Sequence, residues 1–297
     1  NNVFINCNKH WISGYVSVRI KNVTGFSLIS CSLNGSSGIT LEILNSANGL
    51  LNKNIIGTED LQRLYTFNVF NSSRLFIGGN NFNGIYEQIY SSDNTIINNN
   101  FNPAQSVGAG SIISHFGSNN KIISNIVDGK SDGVFNNRIG ADDGIILGDE
   151  RSIIVRNNYI KNNWDCGIET EGLISDAKIV GNTIVNSGLC GIGGWYYHSW
   201  ARNTISENLV DDAAQMFLFF RNCGMRPWDE YIYFKDNVFS NNKFINPNMN
   251  ATWSSRFDMR LPIGICNEPG ERPANASNLI LKNNVLKNNR NHTSRRS

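Results

Sequence analysis

Carboxylates and aromatic rings crowd into one stretch of this 297-residue chain. Asp142 and Asp143 precede Gly144-Ile145, and Asp165 precedes Cys166-Gly167-Ile168. Glu169 and Glu171 follow two residues apart, and Trp195, Tyr196, Tyr197 and Trp200 come after them. Paired carboxyls are the tools of glycoside hydrolysis, one giving a proton to the leaving oxygen and the other acting as base or nucleophile. They stand roughly 5–5.5 Å apart in retaining enzymes and roughly 6.5–9.5 Å apart in inverting ones. Crowded carboxyls also repel, so one of them should keep its proton and serve as general acid. Flat aromatic faces beside such acids suit a sugar ring.

The elements that must position these residues repeat. Asp143-Gly144-Ile145 leads to Val155-Arg156-Asn157-Asn158-Tyr159-Ile160. Cys166-Gly167-Ile168 leads to Ile179-Val180-Gly181-Asn182-Thr183-Ile184, and Cys190-Gly191-Ile192 to Ile205-Ser206-Glu207-Asn208-Leu209-Val210. The first apolar residue of the second half recurs at Leu28, Leu51, Ile77, Ile96, Ile122, Val155, Ile179, Ile205, Phe239 and Leu281. Three residues on stand Cys31 and then Asn54, Asn80, Asn99, Asn125, Asn158, Asn182, Asn208, Asn242 and Asn284. Asn makes up 48 of 297 residues, so composition alone would put about one or two there. A period of roughly 24 is too short for paired-helix repeats. The apolar runs are short, β-branched and broken by Asn and Gly, which is the strand signal. Asn bonds backbone at turns and tolerates left-handed dihedrals, and stacked Asn side chains can form a ladder. Leucine-rich repeats share the period but need a Leu-x-x-Leu-x-Leu frame that is missing here.

This combination resembles the right-handed parallel β-helix superfamily, the pectin-lyase-like fold, over about residues 3 to 289. The resemblance implies an all-β solenoid of about ten coils, a single domain over 1–297 whose neighbouring coils share one core. The Asp142-Asp143-Gly144 turn is similar to the paired-Asp element of β-helix polygalacturonases. That family's Asn-Thr-Asp and Gly-His-Gly elements are absent, so its catalytic roles are not carried over. Asp-Gly is also a common turn dipeptide.

Register then decides what faces outward. With Ile145, Ile168 and Ile192 inward, residues one and three later point out. These are Ile146 and Gly148, Glu169 and Glu171, Gly193 and Trp195. Ile112 inward exposes Ile113 and His115, and Met216 inward exposes Phe217 and Phe219, with Arg221 beyond. The expected catalytic residues are Asp143, Asp165, Glu169 and Glu171. The expected substrate-binding residues are His115, Trp195, Tyr197, Phe219 and Arg221. Tyr196 and Trp200 read as packing residues. A lyase would need a neutraliser for a uronate carboxylate. Ca2+ on Asp142, Asp165, Glu169 and Glu171 would serve, with Arg221, Arg138 or Arg151 as base. No other cofactor is expected.

Cysteine spacing adds a compartment. Cys7 and Cys31 are 24 apart, Cys166 and Cys190 are 24 apart, and Cys223 and Cys266 are 43 apart across one long repeat. A coil rise of about 4.8 Å lies inside the Cα range of a disulfide. Three inter-coil bridges are expected, and with them a secreted or extracellular location. Charged residues are 17% and the formal net charge is +2, which argues against a nucleic-acid surface. No apolar run is long enough to span a membrane. Excess residues predict long loops near 130–140, 221–236 and 246–276, the last holding four of the six prolines. The chain starts mid-pattern and shows no obvious caps, so flanking sequence or homo-oligomer contacts are expected to cover the ends. Two functions fit: an enzyme cleaving a polysaccharide laid along the rod, a hydrolase before a lyase, or a non-enzymatic structural or adhesive fibre protein.

Overall fold

The computed structural model describes residues 2–35, 39–57, 65–103, 109–131, 140–195, 199–220, 233–247, 263–265 and 275–287. Every regular element among them is a strand, and the strands stack in parallel, coil on coil, as a right-handed parallel β-helix. One sheet holds eleven strands, from Val3–Asn6 through Ile154–Arg156 to Ile280–Lys282. Its rungs pair Ile5 with Leu28, Leu28 with Leu51, and so on to Phe239 with Leu281. The repeat read from the sequence is therefore the register of this sheet, begun one rung earlier at Ile5. A nineteen-stranded sheet forms the other walls, and four short strands make a third face.

Two devices hold the winding. The first is the Asn corner. Each Asn from Asn54 to Asn242 donates its side-chain N–H to the carbonyl oxygen of the Asn one coil on, at 2.9–3.1 Å. That same oxygen accepts the backbone N–H of the preceding Asn, so the corner leaves little polar backbone unpaired. The second device is the glycine of the repeat. A side chain at Gly144, Gly167 or Gly191 would collide with Ile160, Ile184 or Val210, so only glycine lets the strand close onto its neighbour.

Inside runs one continuous core, from Ile20 and Leu28 to Phe239 and Phe244. Each fully buried Ile, Leu or Phe is worth roughly 1.5–3 kcal/mol of transfer free energy. The core also carries a polar chain. The Tyr86 hydroxyl donates to Gln88 Oε1 at 2.8 Å, Gln88 Nε2 to Ser114 Oγ at 2.6 Å, and Ser114 Oγ to Glu150 Oε1. Asn120 Nδ2 donates to Glu150 from the other side at 3.3 Å.

A further corner bears on function. Asn22, Asn45, Asn71, Tyr90, Phe116, Asp149 and Gly172 occupy one column, the first six each donating their N–H to the next coil. All seven have positive φ, between +46° and +79°.

Disulfides join Cys7 to Cys31 and Cys166 to Cys190, with Cα separations of 4.7 and 4.5 Å. Cys223 and Cys266 lie outside the described residues. Gly129 O accepts the N–H of Ala141 at 2.7 Å, closing the base of the excursion expected near 130–140. Tyr233–Lys235 is a strand beside Trp200–Ala201, and Ile263–Ile265 pairs with Phe217–Phe219. Both strands fall in stretches that read as loops. Among the described residues no helix is long and apolar enough to cross a membrane.

Candidate functional site

The acids arrive from two neighbouring coils. Strand Ile145–Gly148 pairs with strand Cys166–Glu171, setting Ile145 beside Ile168, Ile146 beside Glu169 and Gly148 beside Glu171. Ile168 and Thr170 are buried, so Glu169 and Glu171 sit on the outer face, as the register predicts. At the turn, Asp165 N donates to Asp142 O at 2.7 Å, and Cys166 N donates to Asp143 Oδ1 at 2.9 Å. The Cys166–Cys190 disulfide pins this turn to the next coil.

Three carboxyls converge and are covered. Asp143 is 3% exposed, Asp165 8% and Glu169 7%. The expected exposed face is therefore a buried one. Beside Glu169 on the outer face, Ile146 and Ile113, the outward residues of the two preceding coils, pack with Ile85 and Ala109 into a small apolar cluster outside the coil. Burial pushes Asp143 up to about 7, opposed by hydrogen bonds from Glu169 and from the Cys166 N–H. Burial also holds Glu169 well above the usual carboxylate range, and the charge of Asp143 and its hydrogen bond add to this. Burial favours the neutral form of both, and the charge of Asp143 favours it further at Glu169. Desolvation and a like charge act together here, as in other carboxyl pairs that cannot both ionise.

One ligand-like cluster can be drawn, with atoms of Asp143, Asp165 and Cys166 within 4.8 Å of one another. The sulfur is not available, because it is bonded to Cys190. Asp165 Oδ1 touches that sulfur at 3.4 Å, a contact without a proton. Among the described residues, Asp142, Asp165, Glu169 and Glu171 do not gather as a set of ligand atoms within 4.8 Å of one another.

Beyond Glu169 the face opens. Glu171 Oε2 lies 3.7 Å from His115 Nε2, two coils away. Gly148 between them makes this reach feasible, since a Cβ there would stand 2.6 Å from the imidazole. Burial lowers the His115 pKa, while Glu171 and Asp149 pull it back up. A groove of ≈ 570 Å³ lies along the Asn corner, lined by Lys53, Ile55, Asn81, Asn98 and Ile126 and by none of the acids.

With the geometry in hand, comparison with known proteins is direct. A family model described as right handed beta helix region matches residues 134–244. An exopolygalacturonase from Thermotoga maritima superimposes with a TM-score of 0.54 at 12% identity, over 83% of this chain and 52% of that one. The chain thus spans about half the length of that enzyme. The surface adhesin PfbA of Streptococcus pneumoniae gives a TM-score of 0.54 at 12% identity, over 94% of this chain and 76% of the other. This chain is a right-handed parallel β-helix, and its residues 134–244 match the family model of that region. No curated protein sequence matches it. At 12% identity the likeness concerns the fold alone, and that fold carries an exopolygalacturonase in one case and an adhesin in the other.

The β-helix gathers four of the expected site residues, Asp143, Asp165, Glu169 and Glu171, and sets His115 beside the last. Tyr197 and Arg221 lie outside the described residues. The backbone of Trp195 pairs with Phe220. For Phe219 the register is corrected: Phe217, not Met216, pairs with Ile192 and is fully buried in the core against Phe239. Phe219 consequently pairs with Gly194, in the inward row of Thr170. Trp200 is a core residue, as read, with its indole N–H donated to Thr170 Oγ1 at 2.9 Å. Ile113 and Ile146 face outward as read, but both are buried in the small outer cluster and not exposed. Their signal was present in the β-branched pairs Ile112-Ile113 and Ile145-Ile146, which put one isoleucine on each face.

Proposed function

We propose that this β-helix is a secreted carbohydrate-active protein that hydrolyses a glycosidic bond. Glu169 is the general acid, and Asp143 and Asp165 are the carboxylates that face it. The reading is carried by one observation: Asp143, Asp165 and Glu169 converge from adjacent coils with little access to water, an Asp165 oxygen lying within 4.8 Å of Asp143. A carboxyl kept neutral at pH 7 by burial is what proton donation to a leaving oxygen requires. Substrate would enter over Glu171, which is half exposed. The two disulfides support secretion.

The test is reducing-end release from a glycan panel by wild type, Glu169→Gln and Asp143→Asn. Loss of about 10²–10⁴-fold in each variant is expected. Undiminished turnover in Glu169→Gln would sink the reading.

A second reading, a non-enzymatic adhesive or structural protein, draws on the burial of the same three carboxyls, which suits a structural hydrogen-bonded knot. It is favoured if the panel shows no turnover at all and sedimentation reveals a homo-oligomer.

A further inference from the structure

Three aromatic rings form an exposed column beside the acids, on the coils that precede them. Phe70 is 43% exposed, Tyr90 55% and Phe116 47%. Tyr90 and Phe116 stack at 5.0 Å and 21°, and Phe70 meets Tyr90 edge-on at 5.7 Å. The column is continuous with the candidate site. Phe116 touches the His115 ring at 6.0 Å, and His115 reaches Glu171.

Packing alone does not account for these rings. Tyr90 and Phe116 hold φ of +52° and +58°, in the column where earlier coils place Asn22, Asn45 and Asn71. A bulky side chain in the left-handed region carries a steric cost that Asn largely escapes. The rings recover little of it by burial, since about half of each stays in water. Backbone strain that local packing does not repay marks a functional position.

Charge then narrows the ligand. Among the described residues, the outward row from Glu87 to Gly193 and the row from Phe70 to Glu171 contain no lysine or arginine. Every charged side chain there that does not titrate near neutrality is acidic. A uronate polymer would find no cation in these two rows and would meet Glu171 at their end, whereas an uncharged sugar chain needs no counter-charge. We infer that Phe70, Tyr90 and Phe116 form a binding strip for an uncharged glycan, leading along the rod into the His115–Glu171 edge of the acidic site. This rests on the glycan reading above and deepens it: the strip sets substrate class.

The test separates the two. Wild type, Tyr90→Asn/Phe116→Asn and Glu169→Gln are run through native gels cast with dextran, galactomannan, xyloglucan or polygalacturonate. The double variant restores the residue found at this turn in Asn45 and Asn71, so its thermal midpoint should be kept. Wild type and Glu169→Gln are expected to be retarded by at least one neutral polymer and not by polygalacturonate. The double variant should lose affinity by about tenfold or more. Retardation without turnover keeps the strip and removes the hydrolase reading. Turnover with unchanged migration of the double variant overturns the strip, as does retardation by polygalacturonate alone or by no polymer. A change in sedimentation confined to the double variant also overturns it, in favour of a second copy as occupant.

Discussion

At the scale of single residues, the chain buries two carboxyls with opposite surroundings. Glu150 lies at the end of the internal polar chain and accepts from Ser114 and Asn120, yet burial lifts it from 4.5 to about 7. Asp143 is lifted to about 7 by the same cause, beside a protonated neighbour. In both cases the folded value lies above the unfolded one. Each contribution is full below the ordinary carboxylate range and is lost as pH rises through about 7. The thermal midpoint of wild type should therefore fall between pH 5 and pH 8, and Glu150→Gln should flatten that slope. Calorimetry across the range checks it, and a wild-type midpoint that climbs over this interval refutes it. Activity, if hydrolytic, has the opposite low-pH limb. It needs Asp143 ionised and Glu169 protonated, so kcat/KM should rise through about pH 7 before falling at higher pH.

At the scale of elements, the Asn corner and the paired strands do separate jobs. Asn158 side-chain atoms bond Ile122 O, Asn182 Oδ1 and the backbone and side chain of Asn125. Asn158→Ala would strand several buried groups at about 1–3 kcal/mol each, a loss of several kcal/mol by denaturant unfolding. Asn284→Ala, on a half-exposed terminal rung, should cost far less. Gly148→Ala is expected to push the His115 ring off Glu171 and to change the histidine titration seen by NMR, with little effect on stability. The corner was legible in the sequence because turn chemistry demands Asn at one fixed offset, and Ile145, Ile168 and Ile192 carried the register faithfully. Register failed at Phe217, because the preceding strand carries one more residue between Ser187 and Cys190, at Gly188-Leu189, than strand Leu209–Phe220 does between Ala213 and Gln215. The aromatic column was legible but not followed: Asn22, Asn45, Asn71, Tyr90 and Phe116 each stand six residues before Leu28, Leu51, Ile77, Ile96 and Ile122, outside the inward and Asn positions by which the repeat was tracked. Outward was equated with exposed, and Ile113 and Ile146 show why that fails when a second apolar cluster sits outside the coil.

At the scale of the whole molecule, stability is distributed along the rod, each coil resting on its two neighbours. The Cys166–Cys190 bridge clamps the coils that carry the acids, closing a 24-residue interval. Replacing both cysteines by Ser should lower stability by about 2–4 kcal/mol and raise amide exchange first in the acid-bearing turns, as read by mass spectrometry. The Asn rungs keep the same contact distance whether 19 or 42 residues separate them. Axial position is thus metered by hydrogen bonds and not by chain length. Residues inserted at an outer corner would bulge sideways and leave the pitch untouched, so what the rod displays can be rewritten coil by coil while its ruler stays fixed.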